Sequence, residues 1–225
     1  MDPKQLAAQA ALSYIKSGMV VGLGTGSTAK LFIDALGAAL QAEKLTNIRG
    51  IPTSQRSDKQ ARDLGIPIVT HAQCPMADVT VDGADEVDPN LDLIKGLGGA
   101  LLREKVVAQN SKKFVVVADS SKKVTHLGEH APLPVEVAQF GFESHVPFLK
   151  SLGAQPVLRK DGDKAYVTDN GNFIYDCRFE RIDDPKSLES KLKGRAGVVE
   201  TGLFVGMASV VLIATATEVE TLLRK

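Results

Sequence analysis

A glycine-rich segment, GLGTGST at 22–28, follows an apolar run and precedes a helical pattern. Glycines let the backbone turn tightly, and the free N–H groups that open a helix attract an anion. Ser27 stands where the dinucleotide fingerprint needs its third glycine, and no G-K-[ST] of a Walker loop follows. The segment therefore predicts a phosphate cradle, with Thr25, Ser27 and Thr28 adding hydroxyl donors. An ordinary strand-to-helix turn with a serine cap is the alternative.

An acidic segment, DGADEVD at 82–88, follows a predicted strand. Ligands of open α/β sheets bind beyond the carboxyl ends of the strands, and Gly83 and Ala84 leave space beside the two aspartates. The carboxylates of Asp82 and Asp85 suit sugar hydroxyls, a metal ion or a proton. A solvated acidic turn is the alternative.

A second glycine-rich segment, KGLGG at 95–99, leads into a predicted helix. Its glycines again indicate a close approach of backbone to a ligand. Glu104 lies about one turn into that helix, where it is a candidate general base if burial raises its pKa. The alternative for Glu104 is an exposed residue paired with a neighbouring Lys or Arg.

A fourth cluster, DSSKK at 119–123, follows a strongly apolar strand pattern. A lysine at this position can reach a phosphate or stabilise an oxyanion, whereas the alternative is a charged surface turn.

The segment HLGEH at 126–130 matches an inverted zinc-protease motif, which requires a helix. Gly128 lies inside the segment and prolines follow it, so we predict a loop and no metal site. Cys74 and Cys177 are expected to be reduced thiols.

The elements that position these clusters alternate between strand and helix. Helical patterns cover about 6–17, 31–40, 54–64, 100–109, 143–152, 185–193 and 218–223, and strand patterns cover 19–23, 48–51, 66–69, 79–82, 114–118, 135–138, 156–159, 164–168, 173–179 and 210–214. Repeated strand-then-helix order predicts a parallel sheet with helices on both faces. After about residue 130 the texture indicates a small α+β domain, in which DNGN at 169–172 predicts a hairpin turn. The last strand and helix are expected to return to the first sheet.

Composition narrows the possible partners. The 225 residues carry 27 basic and 27 acidic side chains, so the formal net charge is zero, and 44% are hydrophobic. This is ordinary composition for a soluble globular protein, without the basic footprint of a nucleic-acid or membrane-surface protein. The first residues lack the charged and apolar regions of a secretory signal. We therefore expect a cytoplasmic protein that binds neither nucleic acid nor membrane.

The chain resembles the ribose-5-phosphate isomerases of the A type over nearly its whole length. The segments that carry the resemblance are GLGTGSTA (22–29), DGADEVD (82–88), KGLGGALLREK (95–105), ADSSK (118–122), PLPVEV (132–137), VTDNGN (167–172) and GLF (202–204). Each is weak alone, but together and in this order they are specific. The resemblance implies interconversion of ribose 5-phosphate and ribulose 5-phosphate, a step of the pentose phosphate pathway, with no cofactor and no metal.

The resemblance also implies which residues act. The catalytic set is Glu104, as general base, with Asp82, Asp85 and Lys95. The substrate-binding set is Thr25, Gly26, Ser27, Thr28, Asp82, Gly83, Ala84, Asp85, Lys95, Gly96, Gly98, Gly99 and Lys122.

The implied fold class is α/β. A Rossmann-like parallel sheet domain is expected over 1–130 plus 204–225, with a smaller α+β (ferredoxin-like) domain at 131–203 inserted before the last strand and helix. The smaller domain is expected to take part in oligomer contacts, in a homodimer or homotetramer. Two alternatives share the broad fold. A CoA-transferase-like enzyme would form a thioester on Glu104, and a sugar-phosphate-sensing domain would carry a basic helix-turn-helix.

Overall fold

The computed structural model describes residues 2–224, which divide into two compact units. Of these residues, the first unit comprises 2–84, 103–122 and 207–224, and the second comprises Asp85–Leu102 and Lys123–Gly206. The helices are α1 Pro3–Ala11, α2 Ser27–Gln41, α3 Gln55–Asp63, α4 Leu101–Gln109, α5 His145–Ser151 and α6 Pro185–Lys193, with 3₁₀ turns at Leu12–Tyr14, Ser120–Lys122 and Phe142–Ser144.

The strands follow in chain order. They are β1 Val20–Leu23, β2 Arg49–Pro52, β3 Val79–Gly83, β4 Glu86–Val87, β5 Leu93–Ile94, β6 Phe114–Asp119, β7 Leu133–Val137, β8 Gln155–Leu158, β9 Lys160–Asp161, β10 Lys164–Ala165, β11 Phe173–Arg178, β12 Val198–Thr201, β13 Leu203–Phe204, β14 Val210–Ala214 and β15 Val219–Leu223.

A six-stranded sheet forms the centre of the first unit, in the order β15-β14-β6-β3-β1-β2. The pairings β1–β2, β1–β3, β3–β6 and β6–β14 are parallel, and only β15 is antiparallel to its neighbour. The chain moves outward from β1 to β2, and then from β3 through β6 to β14 on the other side. The strand order therefore reverses between β1 and β3, which is where open α/β sheets bind ligands.

Apolar residues explain why this sheet forms. Strands β1 and β14 are buried at every position, as expected for parallel strands covered on both faces. Helix α2 turns Phe32, Ile33 and Leu36 toward the sheet, and α1 contributes a face of small alanines to the same core. A face of alanines lets the helix backbone approach closely, so the first helix packs tightly despite its modest apolar surface.

The second unit is built on a four-stranded antiparallel sheet in the order β12-β7-β11-β8. Along the chain its elements run β7-α5-β8-β11-α6-β12, which is the ferredoxin-like βαββαβ arrangement. Leu149 of α5 and Leu192 of α6 pack in one core with the alternate residues Leu133, Val135 and Val137 of β7. A small sheet, β13-β5-β4, belongs to the same unit.

The predicted α/β class is confirmed, but three local predictions are wrong. Residues 218–223 do not form a closing helix, because β15 pairs along its whole length with β14. The predicted strand 66–69 makes only one isolated bridge, from Ile68 to Gly50. The turn at 169–172 forms and is closed by a hydrogen bond from Thr168 N to Asn172 O, yet the strands beside it, β10 and β11, pair with other partners.

The unit boundaries also differ from the predicted 1–130 plus 204–225 and 131–203. Residues 85–102, 123–130 and 204–206 belong to the second unit. Two long-range pairings account for this, since β5 pairs with β13 and Val87 bridges Lys123. Within residues 2–224, no helix has the length and hydropathy needed to cross a membrane.

Candidate active site

The first glycine-rich segment joins β1 to α2, as predicted. Gly26 is the N-cap of α2 and has φ of 120°, a conformation that side chains disfavour. Its carbonyl accepts the Lys30 amide over 2.9 Å, so the helix begins at once. The first-turn N–H groups of α2 therefore lie at the carboxyl end of β1, beside the strand-order reversal. A helix N-terminus with this geometry favours an anion.

Asp82 ends β3 and holds this loop. It is fully buried, and its Oδ1 accepts hydrogen bonds from the Thr25 amide at 3.0 Å and from the Gly83 amide at 2.7 Å. A side chain on Gly24 would lie 2.6 Å from the Asp82 Cα, so only glycine fits there. The alternative of a solvated acidic turn is wrong for Asp82.

The Thr25 hydroxyl has partners inside the protein. Its Oγ1 lies 2.7 Å from Thr53 Oγ1 and donates to Ser54 Oγ at 2.8 Å. Ser54 caps α3 and forms a capping box with Ser57. The residues after β2 therefore fix the Thr25 side chain, which orients the backbone of the loop.

Two lysines bring positive charge to this edge of the sheet. Lys4, in the first turn of α1, donates from Nζ to Ser27 Oγ at 3.2 Å. Burial acts to raise the pKa of Asp119, but its hydrogen bonds from Ser121 and the charges of Lys122 and Lys4 together hold that pKa below its ordinary value. The sequence prediction included Lys122 and missed Lys4, because nothing local shows that α1 begins beside Ser27.

Glu104 lies in the first turn of α4 and is only 3% exposed, so the predicted alternative of a surface glutamate is wrong. A side chain on Gly22 of β1 would meet Val107 of α4 at 2.8 Å, so α4 packs closely on the sheet. Because α4 connects parallel strands β3 and β6, it runs back from their carboxyl ends. Glu104 shares a helix face with Val107 and lies one turn nearer those ends.

The remaining predicted residues belong to the second unit. Asp85 Oδ2 accepts the Leu97 amide at 2.9 Å. Lys95 is 2% exposed, donates its backbone N–H to Gly202 O at 2.9 Å, and holds Nζ 5.4 Å from the centre of the Phe204 ring. A buried ammonium requires compensating polar or aromatic contacts, so this lysine is held at a defined position.

The glycines of 95–99 have distinct reasons to be glycine. Gly96 and Gly99 have φ of 103° and 79°. A side chain on Gly96 would also meet Leu101 at 2.8 Å, and one on Gly99 would overlap the Tyr166 hydroxyl. The turn is closed by a hydrogen bond from Gly99 N to Gly96 O at 2.9 Å.

The predicted site residues thus fall into two sets. The first unit holds the loop 25–28, Asp82 with its neighbours Gly83 and Ala84, and also Glu104 and Lys122. The second unit holds Asp85, Lys95 and the glycine loop 96–99. Ala84 and Asp85 are consecutive, and α4 begins in the second unit and continues in the first.

The segment 126–130 is a loop, as predicted, organised by a carboxylate. Glu86 is fully buried and accepts the amides of Gly128 at 2.6 Å, His130 at 2.6 Å and Ala131 at 2.7 Å. In the part of the chain that the structure describes, no group of three or more His, Cys, Asp or Glu side chains could hold a metal ion. Both cysteines are free thiols.

Comparison with known proteins supplies the family. Residues 49–218 match the family model described as ribose 5-phosphate isomerase A (phosphoriboisomerase A). The ribose-5-phosphate isomerase A of Synechococcus sp. (strain JA-3-3Ab) is 50% identical over 222 residues, covering 97% of this chain and 96% of the relative. The ribose-5-phosphate isomerase A of Deinococcus radiodurans is 47% identical over 227 residues, covering 100% of this chain and 100% of the relative.

A solved structure agrees with these sequence matches. The structure of ribose 5-phosphate isomerase A from Methanocaldococcus jannaschii superposes with a TM-score of 0.93 at 43% identity, covering 99% of this chain and 98% of that one. Similarity at this level, over the whole chain, covers the first-unit sheet, the second-unit sheet and every segment that carries the candidate site residues. The chain belongs to the ribose 5-phosphate isomerase A family.

Proposed function

We propose that this chain is an aldose–ketose isomerase that interconverts D-ribose 5-phosphate and D-ribulose 5-phosphate. Family membership across nearly the whole chain is the observation that carries the proposal. The first unit adds chemical support, because a buried glutamate and a buried aspartate accompany an anion-binding helix N-terminus at the strand-order reversal. These are the groups that proton transfer on a phosphorylated sugar requires.

A ligand of a related protein supports the same substrate class. A solved D-ribose-5-phosphate isomerase in complex with phospho-erythronic acid has a TM-score of 0.96 and 42% identity, covering 99% of this chain and 98% of that one. Phospho-erythronic acid is a phosphorylated four-carbon sugar acid. Its carboxylate resembles the two-oxygen anion of an enediolate, so a site complementary to it suits an isomerase intermediate.

Glu104 is the proposed general base. The reaction moves a proton between C2 and C1 of the open-chain sugar, and one carboxylate on one face of a planar enediolate can perform both transfers. The burial of Glu104 in the first turn of α4 supports this role, because exclusion of water strengthens the interactions that guide the proton.

Asp82, Asp85 and Lys95 are proposed to stabilise charge on, and transfer protons between, the sugar oxygens O1 and O2. Negative charge develops on O1 and O2 in the enediolate, which a cation such as Lys95 stabilises. Asp82 or Asp85 assists opening of the furanose ring and relays the proton between O1 and O2. The hydrogen bonds that hold Asp82 to Thr25 and Asp85 to Leu97 support this proposal, since a fixed carboxylate transfers protons along a defined path.

The phosphate is proposed to bind at the start of α2. Gly26, Ser27 and Thr28 would offer backbone and hydroxyl donors, and Lys4 and Lys122 would supply charge. The backbone of Gly83, Ala84, Gly96, Gly98 and Gly99, with the loop at Thr25, would line the remaining sugar. Phosphate binding holds the open chain in a reactive pose, so it contributes to turnover as well as to affinity.

The proposed reaction requires no cofactor and no metal ion, because acid–base groups alone move the proton. The family resemblance supports a homodimer or homotetramer with contacts through the smaller domain, and a cytoplasmic enzyme. A CoA-transferase-like reaction on Glu104 is not favoured by the family comparison.

The direct test incubates purified protein with ribose 5-phosphate and detects ribulose 5-phosphate. The proposal expects turnover that is unchanged by EDTA. Absence of product would overturn it, and trapping of an acyl group on Glu104 by hydroxylamine in the presence of acyl-CoA would favour the transferase instead.

A further inference from the structure

Arg159, which directly follows β8, hydrogen-bonds the backbone of the glycine loop 96–99 and is not among the predicted site residues. Its Nη1 donates to the carbonyl oxygen of Gly96 at 3.0 Å and to that of Leu97 at 3.1 Å. The Gly96 carbonyl also accepts the Gly99 amide, so the guanidinium bonds the oxygen that closes the turn. Arg159 lies outside every segment that carries the family resemblance.

The guanidinium is itself held in one orientation. Asp176 of β11 receives two hydrogen bonds from it, Nε to Oδ2 at 2.9 Å and Nη2 to Oδ1 at 2.5 Å. The two side chains are only 13% and 24% exposed. Bidentate arginine–carboxylate pairs are strong and directional, and only a planar fork can serve a carboxylate and two carbonyls together.

Other contacts fix the same loop from its remaining sides. The Leu97 amide donates to Asp85, so both the N–H and the C=O of this one residue are bonded to charged side chains. The Tyr166 hydroxyl occupies the space where Gly99 would carry a side chain. Tyr166 in turn bonds the Arg159 carbonyl through its amide at 2.9 Å, with the guanidinium carbon 5.8 Å from its ring centre.

We propose that Arg159 is a positioning residue of the isomerase, acting through the backbone of the loop 96–99. The inference rests on the proposed function, because along the chain this loop directly follows Lys95 and precedes α4, the helix that carries Glu104. Arg159 touches no reacting atom in this account. It keeps the loop in the conformation that binds the sugar, and a displacement of about 1 Å at a positioning element can cost roughly 100-fold in rate.

The test compares Arg159→Met with Arg195→Met. Arg195 is a matched control, because it also donates to a backbone carbonyl, Ser144 O at 3.2 Å, and lies 4.9 Å from the centre of an aromatic ring, Phe148. We expect Arg159→Met to raise KM for ribose 5-phosphate and to lower kcat/KM by roughly 10- to 100-fold. Amide hydrogen exchange of a peptide spanning 96–99 should accelerate in Arg159→Met and stay unchanged in Arg195→Met.

Chemical rescue separates positioning from a general loss of structure. Millimolar methylguanidinium should restore activity to Arg159→Ala by occupying the space beside Asp176, and should have no effect on Arg195→Met. Wild-type kcat/KM in folded Arg159→Met overturns the inference, as does lost activity with unchanged exchange at 96–99 and no rescue. If Arg159→Met fails to fold, hydrogen exchange at 96–99 and KM for ribose 5-phosphate are measured on Arg159→Lys instead. Wild-type values of both quantities in Arg159→Lys overturn the inference.

A failure of the proposed function would be distinguishable. Wild-type protein that does not convert ribose 5-phosphate would refute the activity. Hydrogen exchange at 96–99 would still show whether Arg159 holds the loop.

Discussion

The backbone nitrogen of Thr25 donates a hydrogen bond to Oδ1 of Asp82 over 3.0 Å. This bond joins the loop after β1 to the end of β3, the two strands between which the strand order reverses. It holds the proposed phosphate loop and a proposed catalytic carboxylate in a fixed relation. Gly24 makes this possible, because its missing side chain lets the loop lie directly against Asp82.

Gly24→Ala should therefore disable the enzyme. The added Cβ would lie 2.6 Å from the Asp82 Cα, a backbone atom, so the loop or the strand end must shift. We expect kcat/KM to fall roughly 100-fold through misplacement, with a loss of about 1–3 kcal/mol in unfolding free energy from overpacking. Steady-state kinetics and urea unfolding measure the two effects.

A second glycine variant provides the comparison for Gly24→Ala. Gly194 is the C-cap residue that follows α6, and a Cβ there would lie 3.3 Å from the Ser190 carbonyl oxygen. Because Gly194 is not among the proposed site residues, Gly194→Ala should keep wild-type kcat/KM. Equal activity of the two variants would refute the close fit between Gly24 and Asp82 as a requirement for turnover.

Lys4→Met should weaken phosphate binding. The Lys4 ammonium bonds Ser27 at the start of α2, where the helix dipole and the free N–H groups also favour an anion. We expect KM for ribose 5-phosphate to rise roughly tenfold, as loss of one charge-assisted hydrogen bond would produce. Lys44→Met, on the exposed surface after α2, should leave KM unchanged. A wild-type KM in Lys4→Met would remove Lys4 from the phosphate site.

His145 should make folding stability depend on pH. Burial, and then the charge of Arg195, lower the pKa of His145 below its ordinary value of 6.5. The unfolded chain therefore binds more protons than the folded chain as pH falls below about 6.5, and stability is lost. The contribution of His145 to the free energy of unfolding is fully present above the pKa that this residue has in the unfolded chain. Its loss stops once pH falls below the pKa of His145 in the folded chain.

Urea unfolding at about pH 8 and about pH 5 checks this prediction. Wild-type protein should lose more unfolding free energy between the two than His145→Gln does. Equal pH dependence of wild type and His145→Gln would show that His145 does not contribute.

The two cysteines should differ in reactivity. Burial and then the charge of Asp176 raise the pKa of the fully buried Cys177 thiol, which suppresses its thiolate. Cys74 is partly exposed and lies 3.3 Å from an Arg49 nitrogen. Ellman's reagent should titrate one thiol rapidly in native protein and two after unfolding. Cys74→Ser should abolish the rapid phase; two rapid thiols in native wild type, or none after unfolding, would contradict this account.

Local patterns predicted the parts of the fold that local chemistry determines. The glycines of 22–28 and the helical pattern after them predicted the loop and α2, and the helical pattern of 54–64 predicted α3. The prediction of a helix over 218–223 was wrong because six residues are too few to distinguish a helical period from a strand period. Its conformation is decided by the pairing with β14, which only the assembled sheet supplies.

Contacts between distant segments account for the site residues that the sequence could not predict. Lys4 meets Ser27 because α1 and α2 pack on the same sheet, and Arg159 reaches Gly96 across 63 residues of chain. No spacing rule connects such pairs. The burial of Glu104 likewise depends on how closely α4 approaches Gly22. The sequence pattern made Glu104 a candidate and the family resemblance implied its role, but neither showed whether its side chain is buried.

The variant Glu104→Gln shows whether Glu104 is the general base of the isomerisation. The substitution preserves the shape of the side chain and removes its ability to accept the C1 or C2 proton. With ribose 5-phosphate as substrate, we expect kcat to fall roughly 100- to 10,000-fold, the usual contribution of a general base, with little change in folding. Near-normal turnover by Glu104→Gln would contradict the proposed mechanism.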